Sequence, residues 1–160
     1  MQEYVMYTDG SCPRNGDADA AGGWAFLGVR DPSLPLELQE TWIEASGRME
    51  PNTELPNTSI RAELLAAINA IKHTPKKSNI TLYSDSAYLV NGVTRRWYVK
   101  WFATGKNSAG QVPANMDLWR TLVDLIKERT VRMIHIKGHA GHRWQELCDT
   151  LAVSQSMKEV

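Results

Sequence analysis

The sequence predicts an α/β domain: a five-stranded mixed sheet, order βββαβαβα, flanked by helices. Three observations carry that reading. Alternating or apolar runs recur before residue 50, separated by turns rich in Gly, Pro and Asp. A helical stripe then occupies 58–73, with cap signals at its start and Pro75 beyond its end. After it, strand-like and helix-like segments alternate along the rest of the chain.

Taken in order, residues 3–8 read as a strand, because Tyr4, Met6 and Thr8 alternate with Glu3, Val5 and Tyr7. Residues 9–22, rich in Gly, Asp, Asn and Pro, predict a loop. Residues 23–29 and 37–46 read as the second and third strands, joined by a turn at 31–35, so the first three strands predict an antiparallel meander. A longer loop is expected at 47–57, with Pro51 and Pro56. The helix at 58–73 has Asn57, Thr58 or Ser59 as its cap and Ile60, Leu64, Ala67, Ile68 and Ile71 as its apolar stripe. Residues 79–84 predict the fourth strand. A short helix from Ser86 and a second over about 94–103 come next, then a loop at 104–114. A further helix starts at Asn115 or Asp117 and reaches about Glu128; 131–136 predict the fifth strand, 137–143 a loop, and 144–157 the last helix.

A chain of 160 residues suits one domain spanning 1–160 with a real core. Its 42% hydrophobic and 22% charged content predicts an ordinary soluble globular protein. The sequence holds no apolar run of about 18 residues, which excludes a membrane-spanning helix. The start, Met1-Gln2-Glu3-Tyr4, lacks the basic and apolar regions of a secretory signal, so a cytoplasmic protein is expected. Cys12 and Cys148 show no CxxC spacing, which argues against structural zinc and fits a reducing compartment. Net charge is zero, weakly against a nucleic-acid binder. Its distribution points the other way: no acid lies between Asp85 and Asp117, whereas Arg95, Arg96, Lys100 and Lys106 do.

Four carboxylates stand where chemistry would place them. Asp9 follows Tyr7-Thr8 at the end of the first strand pattern, and Asp85 follows Tyr83-Ser84 at the end of the fourth. Glu63 lies in the first turns of the 58–73 helix, and Asp149 in the last helix. Acids at strand ends and helix starts can converge, and a converged set repels itself unless a divalent cation sits within it. That is the design of a two-metal phosphodiester hydrolase, with Mg2+ as the natural ion. Each acid has a structural alternative. Asp-Gly makes ordinary turns, Asp85 suits a helix N-cap, Glu63 suits a helix dipole, and Asp149 suits a solvated helix face.

Two further features bear on function. The stretch Val93-Thr94-Arg95-Arg96-Trp97-Tyr98-Val99-Lys100-Trp101-Phe102 interleaves bases with aromatics, which suits a nucleic-acid strand. Alternatively the Trp residues pack this helix on the next through Leu118 and Trp119; the reading adopted is that at least one Trp packs while the cations meet phosphate. His139 and His142 lie in a Gly-rich loop. A loop histidine beside carboxylates suits proton transfer, which is assigned to His139, whereas His142 reads as a loop-structuring hydrogen bond. His135 reads as a plain strand residue and His73 as a charge at a helix C-terminus.

Together these motifs resemble type 1 ribonuclease H of the bacterial kind. The matching pieces are Tyr-Thr-Asp-Gly-Ser-Cys (7–12), Arg-Ala-Glu-Leu-Leu-Ala-Ala-Ile (61–68), Tyr-Ser-Asp-Ser-Ala-Tyr-Leu-Val-Asn-Gly (83–92), Asn-Met-Asp-Leu-Trp (115–119), Lys-Gly-His-Ala-Gly-His (137–142) and Cys-Asp-Thr-Leu-Ala (148–152). They run in order over nearly the whole chain. The resemblance implies a ribonuclease H-like fold and endonucleolytic hydrolysis of the RNA strand of RNA–DNA hybrids. The expected products are 5′-phosphate and 3′-hydroxyl ends, with Mg2+ as cofactor (two ions with substrate) and Mn2+ as substitute. It implies a monomer whose partner is the hybrid, with no obligatory protein partner. Asp9, Glu63, Asp85 and Asp149 match the family's metal-binding acids, and His139 its product-releasing histidine. Residues 94–106 resemble the basic protrusion, with Arg95, Arg96, Trp97, Lys100 and Trp101 as substrate-binding residues. Gly10, Ser11, Cys12, Asn15, Thr58 and Ser59 fall at substrate-binding positions of the first loop and helix.

The chain departs from the family where amides help read the hybrid's minor groove. Thr58-Ser59-Ile60 stands for the usual Thr-Asn-Asn, and Asp85-Ser86-Ala87 for Asp-Ser-Gln, while Asn15 is kept. A competent enzyme with weaker hybrid binding is the expectation. Its 47–57 loop, longer than usual, touches substrate or only elaborates the edge. Two other readings compete: a resolvase-like or integrase-like enzyme on the same fold, and a hybrid- or RNA-binding module without chemistry.

Overall fold

Residues 2–138 and 141–158 are described by the computed structural model. Strands β1 (Glu3–Ser11), β2 (Gly22–Arg30) and β3 (Glu40–Met49) form an antiparallel meander. Strand β4 (Asn79–Ser84) pairs parallel with β1, and β5 (Thr130–His135) pairs parallel with β4. The order across the sheet is β3-β2-β1-β4-β5. The five-stranded mixed sheet expected from the sequence is therefore present, with β1 at its centre.

Alternation along the strands decides which helix covers which face. Met6 of β1, Phe26 of β2, Leu82 of β4 and Met133 of β5 point to one face. There they meet α1 (Ser59–Lys72), α2 (Ala87–Thr94), α3 (Trp97–Thr104) and α4 (Met116–Lys127) in the larger core. Tyr7, Leu27 and Val29 point to the other face, where α5 (Arg143–Ser156) lays Trp144 and Cys148 over them. Among the described residues no helix is long and apolar enough to cross a membrane.

Thr58 is the cap of α1: its Oγ1 accepts the Arg61 amide at 3.1 Å. Asn57, a rival for that role, is buried and spends its amide on the carbonyls of Ala20, Met49 and Glu50 instead. Thr58→Ala leaves an orphan amide at the first turn and is expected to cost about 1 kcal/mol in a denaturant melt. A melt that does not move would show that the Asn15 side-chain Oδ1, which accepts the Ser59 amide at 2.7 Å, suffices.

Four expectations need correction. Strand β1 does not stop at Thr8 but pairs through Asp9↔Ala25, Gly10↔Trp24 and Ser11↔Gly23. Three ladder steps with β2 outweigh the local turn preference of Asp-Gly. Strand β3 lies later than 37–46, because Leu36–Leu38 close a 3-10 turn and pairing with β2 carries on to Met49. Gly47 fits in that strand because the Trp24 indole occupies the space a side chain would need. Residues 94–103 are not one helix: α2 takes Thr94, Arg96 turns left-handed at φ 54°, and α3 starts at Trp97. Ile60 is 37% exposed, while Leu64, Ala67, Ile68 and Ile71 form the buried stripe.

Candidate active site

Parallel pairing of β1 with β4 matches Tyr7 to Tyr83. Continuing that register by two residues sets Asp9 level with Asp85. Asp85 is not the cap of α2, because Ser86 accepts the Leu89 amide at 3.2 Å and does that work. Its backbone is held instead: the Asp85 carbonyl accepts from His135 Nε2 at 3.2 Å. Gly138 packs beside its carboxylate, where a β-carbon would press on Oδ2.

Glu63 reaches the same place from α1. Asp9 shares its face of β1 with Tyr7, so Gly10 faces α1. A β-carbon at Gly10 would collide with the backbone of Ala62 and Glu63. The bare glycine lets the first turns of α1 lie directly on β1. Arg61 fixes the helix sideways, donating to both carboxylate oxygens of Asp117 at 3.0 and 2.9 Å and to Asn115 at 3.1 Å. Those bonds hold the Asp117 carboxyl below the usual range.

Oxygens of Asp9, Glu63 and Asp85 lie within 4.8 Å of one another. Asp9 is 2% exposed and Glu63 7%. Burial pushes the Asp9 carboxyl from an ordinary 3.8 to about 8, with the charges of Asp85 and Asp149 adding and the neighbouring Glu63 carboxyl opposing. Burial also holds the Glu63 carboxyl well above its usual range, with the Asp9 charge second. Asp149, on α5, stands outside the trio but close enough to act on Asp9. Asp9 Oδ2 and Glu63 Oε2 are buried without a hydrogen-bond partner among the described residues. Two orphaned carboxylate oxygens in an acidic cluster fit the donor set a hard divalent cation requires.

His139 lies outside the described residues. His142 heads α5, and its Nε2 is 3.5 Å from the Tyr7 hydroxyl. Its ring stacks on Tyr7, which stacks on Tyr83. Burial keeps His142 below its ordinary pKa and pushes the Tyr7 hydroxyl up to about 12. This matches the loop-structuring role expected of His142.

The other expected site residues fall into two groups. Around the first loop, Cys12 is buried, Ser11 ends β1, and Asn15 and Thr58 both serve the α1 N-terminus, leaving Ser59 exposed there. At the α2–α3 corner, Arg95, Arg96, Trp97 and Lys100 line a groove of about 720 Å³ closed by residues 107–114. Trp101 borders that groove but is buried, its ring edge-on to Trp119 at 5.4 Å. It is the tryptophan that packs. Sequence reading missed His135 and Gly138, which lie against the Asp85 carbonyl and carboxylate, and Gln145, which donates to the carbonyl of Thr8 beside Asp9; a lone Gln in a polar helix gives no signal of burial.

The ribonuclease H family model matches residues 1–157. The ribonuclease H of Syntrophomonas wolfei is 38% identical over 154 residues, covering 95% of this chain and 94% of that protein. That of Acetivibrio thermocellus is 38% identical over 160 residues, covering 99% and 97%. Among solved structures, LC9-RNase H1, a type 1 RNase H with the type 2 active-site motif, superposes with a TM-score of 0.78 at 27% identity. That match covers 98% of this chain and 72% of LC9-RNase H1.

Proposed function

The chain belongs to the ribonuclease H family, endoribonucleases that cleave RNA in RNA–DNA hybrids, and we propose that it does so at Asp9, Glu63, Asp85 and Asp149. The observation that carries the proposal is the trio of carboxylates within 4.8 Å with two buried, unpartnered oxygens. These four acids would hold a pair of divalent ions, Mg2+ by preference and Mn2+ as substitute. When bound, such ions would polarise the scissile phosphate, activate the attacking water and stabilise the leaving 3′ oxygen, giving 5′-phosphate and 3′-hydroxyl ends.

The chain's own groups do the remainder. Asp9, in the central strand, is the fixed point, and α1, β4 and α5 bring the others to it. Desolvation around Asp9 and Glu63 strengthens their attraction for a cation once their proton is displaced. Asn15 and Ser59 border the substrate at the α1 N-terminus, and His139 carries a proton as product leaves. In this reading the protein is a cytoplasmic monomer of one domain, 1–160, with 94–106 as its protrusion.

The test is cleavage of a uniform hybrid beside double-stranded DNA, double-stranded RNA and a duplex with one ribonucleotide, with Mg2+ or with a chelator. Only the hybrid should be cut, and only with metal. Equal cutting of double-stranded DNA favours the resolvase-like reading, and binding without cutting favours a module without chemistry.

The α2–α3 corner supports contact with a phosphate backbone, because Arg95 and Arg96 are exposed where the chain turns. Arg95→Ala with Arg96→Ala is expected to raise KM for the hybrid about tenfold, with kcat within about twofold. The slope of log affinity against log salt should shrink by roughly 1–2. An unchanged KM at every salt concentration would reject that role.

A further inference from the structure

We propose that Gln145 is a positioning residue that sets the spacing between Asp149 and Asp9; the proposal rests on the metal-site reading above. Gln145 is 3% exposed on the inner face of α5. Its Nε2 donates to the Thr8 carbonyl at 3.1 Å. Thr8 immediately precedes Asp9 on β1, and Asp149 lies four residues beyond Gln145, one turn further along the same helix face. A single amide thus joins the backbone beside one carboxylate to the helical turn beneath the other.

Neighbouring contacts give the amide a fixed frame. Cys148 Sγ donates to the Tyr7 carbonyl at 3.4 Å, so α5 bonds two consecutive carbonyls of β1. Further along, Ala152 and Ser156 rest on Gly23, where a β-carbon would strike the helix backbone. Arg48 donates to the Gln155 and Ser156 carbonyls at 3.3 Å each. Gly23 and Arg48 place the far end of α5, and Gln145 places the first half, which runs to Asp149.

Stability does not account for the amide. Its Oε1 is buried without a partner among the described residues. A half-satisfied buried amide is a poorer core residue than leucine or methionine of similar size. What the amide supplies, and an aliphatic chain does not, is a directional bond of fixed length to the strand. Groups bonded directly to metal ligands usually change metal affinity by about 10–100-fold when lost; Gln145, acting one residue away from Asp9, falls at the lower end of that range.

The experiment compares Gln145→Leu and Gln145→Met with the wild type by three measurements. These are calorimetric titration of substrate-free protein with Mn2+, the Mg2+ dependence of hybrid cleavage, and thermal unfolding. The expected result is Mn2+ affinity down by about tenfold or more and half-maximal Mg2+ up by a similar factor. KM for the hybrid should stay within about twofold, and the melting temperature should hold or rise. Unchanged Mn2+ affinity in a folded variant, whatever its melting temperature, reduces Gln145 to packing and overturns the proposal. Methionine decides if leucine fails to fold, and failure of both makes Gln145 a folding residue and equally overturns it. A wild type that binds Mn2+ but cleaves no hybrid removes the functional reading and leaves the Mn2+ titration to decide this one.

Discussion

Asp9→Asn is expected to lower hybrid cleavage by at least about a thousandfold and at the same time to stabilise the metal-free protein. Both effects arise from one position. Asp9 is the carboxylate on which Glu63, Asp85 and Asp149 all bear, so its loss would remove the centre of the proposed cation site. In the metal-free chain the same charge is a liability, since burial and neighbouring acids oppose its ionisation. An amide there removes that cost and should add roughly 1–2 kcal/mol, or about 2–8 °C in melting temperature.

The pH dependence follows from the sign of the shift. A carboxyl held at about 8 in the folded chain, against 3.8 ordinarily, keeps its proton on folding. Between those values the native state binds more protons than the unfolded chain. Stability of the metal-free protein therefore falls as pH rises through that window. Cation affinity runs the other way, because binding must expel the proton, so it climbs until about pH 8. Melting curves from pH 5 to 9 with and without Mg2+ test both slopes. Wild-type curves that are flat with pH, or an Asp9→Asn protein that still cuts hybrid in Mg2+, would sink the assignment.

Gly10→Ala should cost about a hundredfold in rate, although its added carbon meets no carboxylate. The added carbon meets the α1 backbone at Ala62 and Glu63, and a helix cannot yield there as a flexible side chain would. Moving α1 back by about an ångström carries Glu63 away from Asp9, and misplacement of that size costs about a hundredfold in rate. Overpacking adds about 1–3 kcal/mol of destabilisation. The signature is a fall in kcat with a raised half-maximal Mg2+ concentration at a near-native hybrid KM. A variant with native rate, Mg2+ requirement and melting temperature would show that α1 does not rest on β1 as described.

Strand and helix types were legible because each face has its own period: two in β1 and β4, and the Leu64-Ala67-Ile68-Ile71 stripe in α1. Boundaries failed where tertiary contacts overrode local preference. Asp9-Gly10 looks like a turn until ladder partners on β2 extend the strand through it. Leu36 and Leu38 look like strand residues, yet they close a 3-10 turn before β3. In the site, the acids were legible because carboxylates at strand ends and helix starts are conspicuous. Their supports were not. Gln145 and His135 act through backbone carbonyls of Thr8 and Asp85, and a carbonyl partner leaves no mark in a sequence.

Placing α5 after the strands and helices that carry the other three acids has a consequence for synthesis. Sixty-four positions separate Asp85 from Asp149, so at about 5–20 residues per second a ribosome needs roughly 3–13 s to pass from one to the other. During that interval the emerging chain holds three of the four acids. The Tyr7-Leu27-Val29 face also lacks the helix that later covers it. In the proposed site, the fourth acid and the cover for that apolar surface therefore arrive together, with α5. A nascent chain stalled before residue 143 would be both inert and a target for chaperones.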